Sequence, residues 1–141
     1  GGNKSLNAFN LMAEANYRTS EEIQWTVGYE ILSGTDYDQV EKNNSFNPLY
    51  GTNHKFNGFM DYFYVGNHLN SVGLANGYVK FALAKKKTVV NADVHFFASE
   101  AKISETADNY LGTEIDLSLT QTLNPATKIT FGYSGVKAWK Y

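Results

Sequence analysis

Apolar and polar residues alternate along almost the whole chain, and the apolar phase carries no charge. Over 6–18 one phase reads Phe9, Leu11, Ala13, Ala15, Tyr17; the other reads Asn10, Met12, Glu14, Asn16, Arg18. Over 22–32 the split is Ile23, Trp25, Val27, Tyr29, Ile31 against Gln24, Thr26, Gly28, Glu30, Leu32. The same rhythm returns over 74–84, 88–99, 110–122 and 127–135. Period two marks a strand with one apolar face and one wet face. Soluble strands average about 5–6 residues, whereas a tilted membrane-crossing strand needs roughly 9–11. The pattern therefore predicts an all-β fold. Its long strands run as an antiparallel up-and-down meander and form part of a transmembrane β-barrel.

The connections support that expectation. Those at 19–21, 85–87 and 124–126 are tight, the one at 34–73 is long, and the one at 100–109 is intermediate. Tight turns at one rim and longer loops at the other characterise outer-membrane barrels. The turns are polar, and Pro125 falls between strands, where its missing N–H costs no ladder bond. Six strands are fewer than the roughly eight of the smallest single-chain barrels, and bare strand edges cannot face lipid. The expectation is one partial barrel domain over 1–141. Its missing wall would come from a longer chain or from neighbouring chains. The Gly1-Gly2 start, with no targeting segment, favours a fragment.

Composition narrows the classes further. The chain has 141 residues, 15% aromatics, 12 Gly and 2 Pro, which suits β structure with many turns. A net charge of −2 and a pI of about 5.9 give no electrostatic case for nucleic acid. There is no cysteine, which removes disulfides and thiolate metal sites. No apolar run is long enough for a membrane helix.

The polar phase carries Glu14, Arg18, Glu30, Lys80, Asp93, His95, Glu114 and Asp116. In a barrel these become the lumen lining, whose charges sort solutes. The competing reading is an ordinary solvated face. His95 and Asp93, with Glu114 and Asp116 on the next strand, could in principle bind a metal or move protons. Two-residue spacing is automatic in a strand, however, and no metal or cofactor is expected. Asp36, Asp38 and Glu41 form an acidic loop cluster without the full calcium-loop pattern. Lys85, Lys86 and Lys87 read as a solubilising hairpin tip, or as a rim near anionic head groups. No nucleophile elbow, phosphate-cradling loop or zinc-protease helix is present. No enzymatic activity is expected.

The long connection is too aromatic to be a solvated loop. Phe46, Leu49, Tyr50, Phe56, Phe59, Met60, Tyr62, Phe63 and Tyr64 all need somewhere to pack. The expectation is an inward fold that narrows the lumen. Phe46, Tyr50 and Tyr62 would lie on the wall, and His54, Lys55 and Asp61 would be placed to filter solutes. Three motifs in this stretch, Ser45-Phe46-Asn47-Pro48-Leu49-Tyr50-Gly51-Thr52, His54-Lys55-Phe56 and Gly58-Phe59-Met60-Asp61-Tyr62-Phe63, are followed by Gly73-Leu74. Together they resemble the alginate-export-type porin barrels of Gram-negative outer membranes. The resemblance implies a monomeric barrel well over twice this length, with this chain as a C-terminal portion. The functional expectation is a porin-like passive channel for small polar or anionic solutes, set in outer-membrane lipid. A soluble ligand-binding barrel with the faces inverted, and a structural wall piece of a larger outer-membrane assembly, are the alternatives.

Overall fold

The computed structural model describes residues 4–48, 57–63 and 72–139. Eight strands are present among the described residues: β1 (Ser5–Leu6), β2 (Asn10–Arg18), β3 (Ile23–Leu32), β4 (Lys42–Asn43), β5 (Leu74–Lys85), β6 (Thr88–Ala98), β7 (Tyr110–Asn124) and β8 (Thr127–Ala138). No helix occurs among the described residues. Six strands form one antiparallel sheet in the order β2-β3-β5-β6-β7-β8. Each of the six alternating runs is a strand of this meander, and each pairs with its sequence neighbour.

The boundaries differ from the sequence pattern in two places. The first run enters the sheet only at Asn10. Ser5 and Leu6 pair in parallel with Lys42 and Asn43 instead. At the other end, β7 and β8 extend further than alternation indicated, reaching Asn124 and Ala138. A register shift at Thr122/Asn124 breaks the strict period near Asn124, and another lies at Phe97/Ala98, opposite the start of β7. Such bulges flip side-chain phase and hide a strand's continuation from a period-two reading. The sheet is open: β2 and β8 are its edges and do not pair with one another.

Local chemistry sets the turns. Ser20 Oγ accepts the N–H groups of Glu22 and Ile23 at 3.3 and 3.1 Å, which fixes the β2–β3 hairpin. Lys86 adopts a φ of 53° at the β5–β6 tip. Asn124 Oδ1 accepts the Ala126 N–H at 3.0 Å beside Pro125. Mid-sheet, Gly28-Tyr29 runs antiparallel to Gly77-Tyr78, so each tyrosine lies opposite a glycine. A Cβ at Gly28 would sit 2.2 Å from the Tyr78 ring, so the ring occupies the space a larger residue would need. Aromatic cover of a cross-strand glycine protects the ladder and pins the register.

Burial along the sheet runs opposite to that of a water-soluble sandwich. The uncharged face is open: Val27, Val79 and Ile115 are 56, 37 and 45% exposed. The charged face is covered: Asn76, His95, Glu114 and Asp116 are 0, 1, 0 and 2% exposed. The compact apolar cluster (Leu32, Phe63, Leu74, Phe97 and Leu111) also lies toward the long-loop end of the sheet, with Phe46, Ile103 and Val136 packed on it. Phe63 comes from the long connection, which therefore reaches across the charged face.

Candidate functional site

Register places the polar phase in transverse rows. One row runs Glu14, Gly28, Tyr78, His95, Glu114, Val136. The next runs Asn16, Thr26, Lys80, Asp93, Asp116, Ser134. The eight charged positions named from alternation thus share one face. Glu14 accepts the Tyr78 hydroxyl at 2.8 Å and the Asn16 amide at 3.1 Å. Arg18 donates to Gln24 at 3.2 Å at the exposed tight-turn end. The Lys80 ammonium lies 4.6 Å from the centre of the Tyr78 ring and stands across the register from Asp93.

An aromatic stack runs along this face. Phe63 packs on Phe97 at 5.0 Å, Phe97 stacks on His95 at 5.7 Å and 7°, and His95 meets Tyr78 at 5.5 Å. His95 Nδ1 sits 3.1 Å from Asn76 Oδ1. His95 is therefore a packed member of the stack, held by one amide, and not an open ligand. Among the described residues no group of three or more His, Cys, Asp or Glu is arranged to hold a metal.

Segment 57–63 lies over these rows as a strap. The Phe59 N–H donates to Asp116 Oδ2 at 3.1 Å, and the Met60 N–H donates to Glu114 Oε1 at 2.8 Å. The Asn57 amide donates to Glu30 at 2.9 Å, and Glu30 also accepts from Asn10 at 3.0 Å. Gly58 has a φ of +80°, and a Cβ there would lie 2.4 Å from Glu114 Oε1. Only glycine fits a left-handed backbone pressed this closely on a carboxylate. Asp61 follows with a φ of 53°. The second oxygens, Glu114 Oε2 and Asp116 Oδ1, and also Asn76 Nδ2, are buried and hydrogen-bond to no protein group among the described residues. Buried polar atoms of this kind are uncommon and costly, and they cluster where a polar interior serves a purpose.

Of the six loop residues named from sequence, Phe46 packs on the apolar cluster. Tyr62 is 53% exposed and sets its ring edge against Phe63 at 4.9 Å. Asp61 is half-buried within the strap. Tyr50, His54 and Lys55 lie outside the described residues. The Asp36 carboxylate of the acidic loop accepts the Lys102 N–H at 2.8 Å and so ties two loops together. Nearby, the Tyr37 phenol is held above its ordinary range by desolvation and then by the Asp38 carboxylate, a hydrogen bond to Glu105, and Asp36. Lys85 approaches Glu22 at 4.0 Å with both side chains exposed, a pairing of little energetic weight.

Sequence reasoning missed Tyr78, Asn76 and Asn57. The repeated Gly-Tyr dipeptide was the available signal for Tyr78. Asn76 and Asn57 carry no local signal, since their roles depend on the strap's placement. No family model, curated protein or solved structure matches this chain.

Proposed function

We propose that this chain forms part of the wall of an outer-membrane β-barrel acting as a porin-like passive channel. In this reading strap 57–63 narrows the lumen. The observation that carries it is the inverted burial: Val27, Val79 and Ile115 on the uncharged face are open, while Asn76, His95, Glu114 and Asp116 on the charged face are sealed, the last two beneath the chain's own strap. In lipid that arrangement is the favourable one, with apolar side chains outward and polar ones toward water. A soluble ligand-binding barrel needs the opposite, with the aliphatic rows as the enclosed face. Its strand lengths, 9 to 15 residues in the six-stranded sheet, also suit a bilayer crossing. The two open edges call for further strands from a longer chain or from neighbouring chains. The quoted resemblance to alginate-export-type porins points the same way.

The solute class follows from the charges. Outside the sealed pair Glu114 and Asp116, three carboxylates (Glu14, Glu30 and Asp93) share the face with Arg18 and Lys80. That excess disfavours anions, so small polar or cationic solutes fit better than the anionic ones first expected. The test is single-channel conductance of the full-length protein in planar bilayers, with and without residues 46–61. A passive channel narrowed by this loop gives ohmic conductance that rises clearly on deletion. A folded, inserted protein with no conductance in either form would instead make the chain a structural wall piece.

A further inference from the structure

The charged residues of the covered face do not all play one part. Glu114 and Asp116 are shut off from water, so no passing solute touches them. They meet two successive backbone N–H groups of the strap, those of Phe59 and Met60. Gly58 lets the backbone descend onto Glu114. Each bond gives a buried carboxyl oxygen a backbone donor, and strands hold their side chains in fixed positions. The strap has a second, different anchor at its far end, where Phe63 is buried against Phe97 and Gly112.

We propose that Glu114 and Asp116 are positioning residues that fasten residues 57–60 to the sheet, and so set the width of the passage without contacting the solute. This rests on the channel reading above. It divides the face into fasteners (Glu114 and Asp116, flanked by the Glu30–Asn57 bond) and accessible charges such as Lys80 and Asp93. Backbone donors cannot be removed by substitution, so the fastening is tested from the sheet side and from Gly58.

The chain has no cysteine, so Asn57→Cys introduces a unique thiol in it at a position that is buried while the strap is down. Labelling of that thiol by a water-soluble maleimide, in the full-length folded protein, reports how often the strap lifts. Glu114→Val with Asp116→Val removes both acceptors. Losing two such bonds should raise the labelling rate roughly tenfold or more. Glu114→Gln with Asp116→Asn keeps a carbonyl oxygen at each place and should stay within about threefold of the parent. Gly58→Ala lifts the strap from its own side with every sheet side chain retained, and should match the valine pair. It decides the matter alone if the valine pair does not fold. Unchanged labelling in folded Gly58→Ala overturns the fastening, as does an amide pair that labels as fast as the valine pair. Labelling that rises as expected in a protein that never conducts upholds the fastening and removes the channel reading.

Discussion

Substituting arginine for Val94 gives a direct test of which medium the bare face meets. Val94 lies in the register row Ala15, Val27, Val79, Val94, Ile115, Gly135. On β3 the apolar phase runs from Ile23 to Ile31, with Val27 midway. Eight residue steps at about 3.3 Å give roughly 27 Å of strand. At a tilt of about 40° this becomes roughly 20 Å of height, close to the ~25 Å apolar band of an outer-membrane barrel. Val94 therefore falls near the middle of the band, where arginine costs about 2–4 kcal/mol. Ile129, beside the β7–β8 turn, falls near its edge, and Ile129→Arg should cost about 0–1 kcal/mol. On the opposite face Ser118→Arg gives up the 3.1 Å hydrogen bond from Asn91, worth about 1 kcal/mol. If the bare face met water, Val94→Arg would instead fall within about 0.5 kcal/mol, as exposed substitutions do. Reversible denaturant unfolding of the full-length protein in lipid vesicles measures all three, with Val94→Leu as control. Equal costs for Val94→Arg and Ile129→Arg, both under about 0.5 kcal/mol, would refute the membrane assignment.

Three further outcomes are expected. Tyr78→Phe should cost about 1 kcal/mol in the same unfolding assay through loss of the bond to Glu14, and Gly28→Ala about 1–3 kcal/mol because its Cβ displaces the Tyr78 ring; a neutral Gly28→Ala would show that the ring does not need that space. Trp25 pairs with Tyr17 and packs on Phe81 at 4.9 Å on the apolar face, one row in from the tight-turn rim. With Trp139 replaced by Phe, its fluorescence should respond to shallow membrane quenchers and resist aqueous iodide; full iodide quenching in vesicles would place it in water.

Much of the sheet was legible because its information is local. Alternation needs only a strand's own residues, and a tight turn fixes the register of both flanking strands. The pairing of Lys80 with Asp93 follows from the 85–88 hairpin; that of His95 with Glu114 does not, because the 100–109 connection is longer and the ladder shifts register at Phe97/Ala98. Where the code stops being local, the sequence falls silent. The extra residue near Ala98 changes phase without a marker. Leu6 opens the alternating run, yet it pairs with Asn43 outside the six-stranded sheet, as its neighbour Ser5 does with Lys42. That the long connection packs on the sheet could be inferred from its aromatics, since Phe63 needed a partner and Phe97 supplies one. Which carboxylates the strap covers could not be inferred, because that depends on a contact across more than fifty residues.

That contact changes what a carboxylate on this face means. Alternation assigns Glu14, Asp93, Glu114 and Asp116 to one class, because a period reports only which side of the sheet a residue faces. The structure separates them by depth. Glu14 is exposed and bound to Tyr78, Asp93 is half-buried opposite Lys80, and Glu114 and Asp116 are sealed beneath backbone N–H groups. Buried carboxylates are expensive unless their oxygens find donors; here the strap gives each carboxylate one donor, while Glu114 Oε2 and Asp116 Oδ1 find none among the described residues. A polar interior thus selects for a loop that can present bare N–H groups, and Gly58 is the residue that lets this loop do so. The same carboxylates in an open lumen would be solvated, and the strap would gain little by docking on them. On the channel reading proposed above, docking of the strap would narrow the passage and bury the acidic pair in one event.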